Sequence, residues 1–483
     1  MRWIPKWFEQ YGDIYRIASP FGQATVVGSP DLARQVLADR YARYQKKSQA
    51  YSVLRILMGN GLVTSEGEFW RGQRKLVQPA LHRRRLDALF AMMVNRVTDC
   101  ATRLAPVAAA RGVLNLAPVL SQLTLDIISR AMFSSDVQGA AADVSRHIAL
   151  LNEYALRMLR RPWLFLLPRR FPTPFNYAQY QSLKSLNEIV RGIIQARRRQ
   201  PEAHDDLLNM LLTACEEGGG RGMTDAQLRD EVMTIFVAGH ETTANAMSWL
   251  LYLVAQHPEV EERLLAEIDR QWPASGLTPE NIGAFGYVRQ VIEESLRLYP
   301  TIWSIGRSCT EEDELGGCRI PVGMNVVVPI FHFHQSARFW PEPQKFDPAR
   351  FSPERRPPPE PMIYFPFGAG PRNCIGNHFA LQELAIMTIL FLRHYQFRLQ
   401  PGFAVKPDPL ITLRPEGGVA MTVRAREPLP ESHPDGATSH NLAGVSYTLP
   451  QGPSATTLKP VPDSDADLSG DDKTRANPNK GSQ

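Results

Sequence analysis

A single cysteine, Cys374, stands between a glycine-rich run and an apolar helical pattern in residues 365–380, FPFGAGPRNCIGNHFA. Gly368 and Gly370 permit a tight backbone path that side chains would obstruct. Pro371 stiffens the approach, and Arg372 brings a fixed positive charge two residues before the sulfur. From Gly376 onward Phe379, Ala380, Leu384, Met387, Leu390 and Phe391 recur at helical spacing, which predicts a helix with Cys374 at its N-terminus. The unpaired N–H groups and dipole of that terminus favour thiolate over thiol. Backbone donors aimed at the sulfur also limit the charge it gives a metal, which tunes a redox potential. An isolated cysteine is more often a small buried apolar residue, but this setting suits a thiolate ligand. Gly368-x-Gly370 also opens like a dinucleotide fingerprint, yet Asn373 replaces its third glycine and no acidic residue follows at the usual distance.

A second chemical cluster interrupts a long helical pattern. Thr224 and Gln227 form a capping-box pair, and apolar residues then continue to a stop at His257-Pro258. In the middle stands Ala238-Gly239-His240-Glu241-Thr242-Thr243, where glycine and consecutive threonines are poor helix formers. A threonine hydroxyl that bonds the carbonyl one turn back bends a helix and opens room for water or a diatomic molecule. A carboxyl group beside that hydroxyl is the pairing that proton delivery needs. Elsewhere, Trp70 and Arg74 lie four apart on one helical face, and Glu294 and Arg297 three apart in ESLRLYP. An ion pair at such spacing is common and by itself says little.

Phe367, Gly370, Arg372, Cys374 and Gly376 resemble the haem-binding loop of the cytochrome P-450 family, Phe-x-x-Gly-x-Arg-x-Cys-x-Gly, at every position. The resemblance runs over roughly residues 10–426 through five motifs in order. It implies a mainly α fold with small antiparallel β-sheets in a single large domain. It implies haem b, with the Cys374 thiolate as axial iron ligand and a cofactor-binding set of Trp70, Arg74, Ala238, Gly239, Arg307, His334, Phe367, Gly368, Arg372, Cys374 and Gly376. Trp70 and Arg74 match the family's Trp-x-x-x-Arg, whose basic member holds a haem propionate. Arg307 stands at another propionate position. His334 matches only the first residue of the family's His-Arg-Asp-Pro, here His334-Gln335-Ser336-Ala337, so a propionate role stands level with a surface or core one. Glu294, Arg297 and Arg350 match a buried triad that supports the cysteine loop, with Ala349 replacing the glutamate of Pro-Glu-Arg-Phe. These three are assigned to structure rather than chemistry.

By the same resemblance Thr242 is the alcohol and Glu241 the acid of an oxygen-activating motif. The implied reaction inserts one atom of O2 into a hydrophobic substrate, by hydroxylation or epoxidation, and reduces the other to water. A separate ferredoxin, flavodoxin or reductase supplies the electrons. Two alternatives stand beside it: a haem-thiolate peroxygenase or isomerase, whose members usually lack the acid–alcohol pair, and a non-catalytic haem-binding protein. Family position lines the pocket with the 48–65 loop, a lid at 160–180, Phe236, Ala238, residues 301–305 including Trp303, and Ile411 with Thr412. Nearly all are apolar or small, which leaves fatty acid, terpenoid and polyketide open as substrates. Trp163-Leu164-Phe165-Leu166-Leu167, flanked by arginines, reads either as core or as the mobile apolar part of that lid.

The totals agree without choosing among functions. A chain of 483 residues usually splits into several domains, and only the family resemblance argues for one. Five cysteines lie far apart with no C-x-x-C, so neither a disulfide framework nor a zinc knuckle is indicated, and a reducing compartment fits. Eight acids and four bases from Glu427 onward, against a net charge of +5 overall, leave +9 on residues 1–426. That excess is too modest for a nucleic-acid protein and suits an acidic protein partner. His82-Arg83-Arg84-Arg85 reads as a solvated face or as a docking site for such a donor. No apolar run reaches the length of a membrane span, so a cytoplasmic monomer is expected, although the amphipathic start at Trp3, Ile4, Trp7 and Phe8 leaves room for an upstream segment. Strands are predicted at 14–18, 23–27, 396–399, 410–413 and 419–423, and helix over most of 86–200 with breaks at Pro106, Pro118, Pro162 and 168–174. The Pro-, Ser- and Asp-rich residues 427–483 read as a disordered C-terminal tail.

Overall fold

The computed structural model describes residues 3–19, 22–134, 138–160, 173–200, 206–217, 223–358 and 360–426. The helices are α1 (Trp3–Tyr11), α2 (Pro30–Arg34), α3 (Gln49–Met58), α4 (Gly67–Val77), α5 (Arg83–Ala109), α6 (Leu116–Phe133) and α7 (Gln138–Arg160). They continue with α8 (Pro174–Arg199), α9 (Leu207–Glu217), α10 (Asp225–Gln256), α11 (Pro258–Gln271), α12 (Gly286–Leu298), α13 (Ile330–Gln335) and α14 (Asn377–His394). One five-stranded sheet orders β1 (Ile14–Ser19), β2 (Gly22–Val27), β8 (Asn325–Val328), β5 (Ile305–Cys309) and β3 (Tyr44–Gln45). A three-stranded sheet orders β4 (Val113–Asn115), β12 (Ala420–Ala425) and β9 (Tyr395–Leu399). Two hairpins complete the set, β6 (Asp313–Leu315) with β7 (Cys318–Ile320) and β10 (Pro407–Pro409) with β11 (Leu413–Pro415). The pairings are antiparallel except β2 with β8, a parallel pair whose long crossover is supplied by nearly the whole helical chain between them.

Helix α10 is the axis of the molecule. Its start is the capping box expected from sequence: Thr224 N–H donates to Gln227 Oε1 at 2.6 Å, and Gln227 N–H donates to Thr224 Oγ1 at 3.3 Å. It stops at His257 because Pro258 opens α11. Buried residues occur all round it, among them Leu228, Val232, Phe236, Met247, Trp249 and Leu250, so neighbours enclose it on every side. Side chains of α5, α6, α12 and α14 join it in one apolar cluster. Each fully buried leucine or phenylalanine there contributes about 1.5–3 kcal/mol.

Three expectations change. Helix α5 does not break at Pro106 but runs through it to Ala109. The proline sits in the last turn, where it removes a single ladder bond while Leu104 and Ala108 remain buried in the core. Pro118 opens rather than breaks a helix, lying in the first turn of α6, where its missing N–H has no partner to lose. Residues 410–412 are not strand: they form the tip joining β10 to β11, with Pro409 paired to Leu413. The lid at Trp163–Leu167 and the tail from Glu427 lie outside the described residues. No described helix is long and apolar enough to cross a membrane.

Candidate active site

The cysteine loop is tied by its own backbone. Gly368 N–H donates to Phe365 O at 2.9 Å, Cys374 N–H to Phe367 O at 2.8 Å and Asn373 N–H to Gly370 O at 3.1 Å. At Gly370 φ is +67°, and an added Cβ would lie 2.0 Å from the carbonyl oxygen of Leu37, so only glycine fits. Gly376 caps α14, which puts Cys374 two residues ahead of the cap with the Gly376 N–H directed at its sulfur. Cys374 has open surface although protein surrounds it, so the thiol faces an internal space rather than bulk solvent. Burial pushes the thiol up from its ordinary value, opposed by the Gly376 N–H and the charges of Arg74 and Lys46. Beside Gly376 lies open space: its chain neighbours aside, an added Cβ would meet no atom of the described residues within 4 Å. Phe367 packs its ring against the main core and so anchors the loop's entrance.

Cations gather on one side of this loop. Arg74 of α4 donates to Asn373 O at 3.0 Å and to Asn373 Oδ1 at 2.8 Å, tying α4 to the loop. The Arg372 guanidinium lies 4.0 Å over the Trp70 ring, pairs with Glu66 at 2.7 Å and donates to Ser65 O. Its other terminal nitrogen is buried without a partner. Arg307, on β5 and buried, donates to Tyr51 Oη at 3.2 Å and Gly306 O at 2.9 Å. Lys46 joins them, its ammonium donating to Val63 O at 2.8 Å. Burial, and then the charges of Arg307, Arg372 and Arg74, holds Lys46 well below the usual lysine range, with Glu66 opposing. Four clustered cations answered by one carboxylate make a site that favours a polyanionic group. No sequence signal marks Lys46, because beside Lys47 in a polar loop it reads as surface.

Helix α10 runs unbroken through its polar motif. Thr242 Oγ1 donates to Ala238 O at 2.8 Å, Thr243 Oγ1 to Gly239 O at 3.4 Å and Thr124 Oγ1 of α6 to His240 O at 2.9 Å. Three consecutive carbonyls thus take side-chain hydroxyls in addition to their place in the helix. Glu241 accepts from Asn152 Nδ2 of α7 at 2.6 Å and from Thr412 Oγ1 at 2.8 Å. The absent side chain of Gly239 is explained by packing: an added Cβ would lie 2.7 Å from Ile128 of α6. Phe236 packs on Phe133 of α6, with ring centroids 5.0 Å apart, rather than lining the pocket. Trp303 packs among Ile4, Phe8 and Val26 and donates to Leu410 O at 2.9 Å. A small apolar cavity is instead lined by Val53, Leu57, Leu151, Tyr154 and Ile411, with Asn152 its polar member.

His334 is corrected. It is fully buried, accepts from Phe365 N–H at 3.0 Å through Nε2 and stacks on Tyr364 at 5.2 Å. Burial, then the Arg297 charge, pushes it down to about 3, so it stays neutral and belongs to the layer supporting the loop rather than to the cation cluster. That layer is the triad: Arg297 donates to both Glu294 oxygens at 2.6 and 2.8 Å, and Arg350 lies 3.4 Å from Glu294 Oε1. Arg297 also donates to the carbonyls of His334 and Pro343 at 2.7 and 2.8 Å.

The family model for cytochrome P450 matches residues 3–421. The chain belongs to the cytochrome P450 family. It is 33% identical over 430 residues to the putative cytochrome P450 132 of Mycobacterium tuberculosis, covering 86% of this chain and 90% of that one. Cyclooctat-9-en-7-ol 5-monooxygenase of Streptomyces melanosporofaciens is 33% identical over 393 residues, covering 81% and 84%. Pentalenene oxygenase of Streptomyces avermitilis is 29% identical over 419 residues, covering 86% and 91%.

This cytochrome P450 is a haem-thiolate monooxygenase that uses O2 and a redox partner. The residues present fit a cysteine-ligated haem: an enclosed thiol with an N–H aimed at it, an unfilled space beside Gly376, and buried cations suited to two propionates. When bound, haem supplies the activation of O2; the chain supplies enclosure, charge and protons.

Proposed function

We propose that Cys374 ligates the haem iron, that Arg74, Arg307, Arg372 and Lys46 face its propionates, and that Glu241 and Thr242 pass protons to the oxygen side. The observation that carries the reading is the run of hydroxyl-bonded carbonyls at Ala238–His240 with a carboxylate beside it. The alcohol and the acid stand next to one another on α10, the pairing that proton delivery needs. Trp70 supports Arg372 through its ring face. The haem domain is read as residues 1–426, five beyond the last residue matched by the family model.

The apolar lining of the cavity supports a hydrophobic substrate. Of the classes left open, the terpenoid one is favoured by relatives named for pentalenene and cyclooctat-9-en-7-ol. The electron donor docks beside the cysteine loop at the start of α5, where Gln382 of α14 donates to Leu86 O at 3.2 Å and Arg83 and Arg84 stand exposed. Turnover under 18O2 with an added ferredoxin and reductase tests the reading. One labelled atom in the product, with little product from hydrogen peroxide alone, is the expected result. Equal or faster turnover with peroxide alone, in which the product takes its oxygen from peroxide, would replace it with a peroxygenase.

A further inference from the structure

The donors on Glu241 point to a device beyond the acid–alcohol pair. Thr412 Oγ1 receives the amide of Asn245 at 3.2 Å, and an amide NH2 can only donate. The single Thr412 hydrogen is therefore left for Glu241 Oε1, 2.8 Å away, while Asn152 Nδ2 donates to Oε2 at 2.6 Å. Both oxygens accept, so this arrangement fixes the rotamer of Glu241. Asn152, Asn245 and Thr412 are themselves buried, which makes their hydrogen bonds costly to leave unmade. Among the described residues the Thr412 hydroxyl accepts only from the Asn245 amide, and neither amide can resupply a proton. No proton relay therefore enters through these donors, and the clamp must slacken before Glu241 can turn.

The two donors belong to different elements. Asn152 stands on α7, Thr412 at the tip between β10 and β11, and the apolar cavity between those elements is lined by Leu151, Asn152 and Ile411. The cavity is only about 10 Å³, so a larger ligand entering it must displace Asn152 and Ile411, the latter next to Thr412. Resting on the monooxygenase reading above, we propose that Asn152 and Thr412 are positioning residues that restrain Glu241 until substrate occupies the cavity, so that proton supply begins only with the pocket filled. Neutral donors suit such a restraint, because they hold the carboxylate without the depth of a buried ion pair and a displacement of about 1 Å breaks them.

The test uses the haem-loaded full chain with its electron donor and a substrate identified by turnover of the wild type. Thr412→Val removes the hydroxyl at nearly constant volume, Asn152→Ala removes the amide, and Thr412→Ser restores a hydroxyl. The proposal expects Thr412→Val and Asn152→Ala to consume reductant severalfold faster in the absence of substrate, with product per reductant falling severalfold at saturating substrate. It also expects the solvent isotope effect on product formation to change in both. The infrared carboxylate band of Glu241, assigned by difference against Glu241→Gln, should move in both and return in Thr412→Ser. Wild-type coupling, isotope effect and infrared band in Thr412→Val and Asn152→Ala, or a serine variant indistinguishable from valine, would overturn it. Failure of the monooxygenase reading itself would show separately, as absence of donor-driven product in the wild type.

Discussion

Glu231, one turn before Phe236 on α10, is a carboxyl group that the fold encloses but only half satisfies. One oxygen accepts from Leu62 N–H at 3.0 Å and the other is buried without a partner. Burial, with Asp230 adding to it and the Leu62 N–H opposing, pushes Glu231 up to about 7 from an ordinary 4.5. Between those values the folded chain holds a proton that the unfolded chain has released, so unfolding releases protons and stability falls as pH rises. The loss is up to about 3 kcal/mol and is complete above the folded-state value. Thermal unfolding from pH 4.5 to 8.5 should therefore show a shallower decline in Glu231→Gln than in the wild type, and equal declines would contradict the assignment. At this scale the sequence was legible where chemistry is contiguous. Cys374 with its glycines, and Glu241 with Thr242, announce themselves by spacing. Lys46, Asn152 and Thr412 are ordinary residues made functional by segments far away in the chain, and no local signal separates them from surface positions.

Elements transmit the support that the cysteine loop needs. Helix α12 carries Glu294 and Arg297, whose bonds reach the carbonyl of His334 in α13, that of Pro343 beyond it, the 348–351 turn and, through the His334 ring, the Phe365 N–H at the loop's entrance. Removing Arg297 leaves the buried carboxylate of Glu294 with only the Asp347 N–H at 2.9 Å and the more distant Arg350. Arg297→Ala is expected to lose about 3–5 kcal/mol of stability, read in urea unfolding, and to lose haem in parallel because the loop loosens. A variant with wild-type stability and haem content would show that the triad does not support the site. The triad was readable from its spacing and its match to the family; the sides that individual residues face were not. Phe236 and Trp303 lie on segments that do approach the site, but helical period cannot say which neighbour fills which side. The Phe133 ring and the α1 cluster decided it. His334 likewise followed a motif whose next three residues differ, and burial among aromatic rings took it into the supporting layer.

At the scale of the whole molecule, the +9 charge of residues 1–426 is organised as well as present. Lys46, Arg307 and the Arg372 side chain are buried at the cysteine loop, whereas Arg83 and Arg84 stand exposed at the start of α5 on the side of α14. Exposed charges act over about 8–10 Å at ordinary ionic strength and chiefly set encounter rates. Arg83→Glu with Arg84→Glu should slow donor-driven turnover several-fold at low salt and flatten its salt dependence while leaving substrate binding alone. Unchanged rate and salt dependence would place the donor elsewhere. The mainly helical architecture, the central helix and most strands were legible from pattern. That they form one domain was not, because length alone argues for several, and the parallel β2–β8 pair joins segments about 300 residues apart. All of these readings rest on one ligand. The absorption spectrum of the dithionite-reduced protein with carbon monoxide, recorded beside Cys374→Ser, tests it directly. A strongly red-shifted Soret band in the wild type, lost in the variant, is the predicted result. A band at the position of histidine-ligated haem, or one that persists in Cys374→Ser, would contradict the account at its centre.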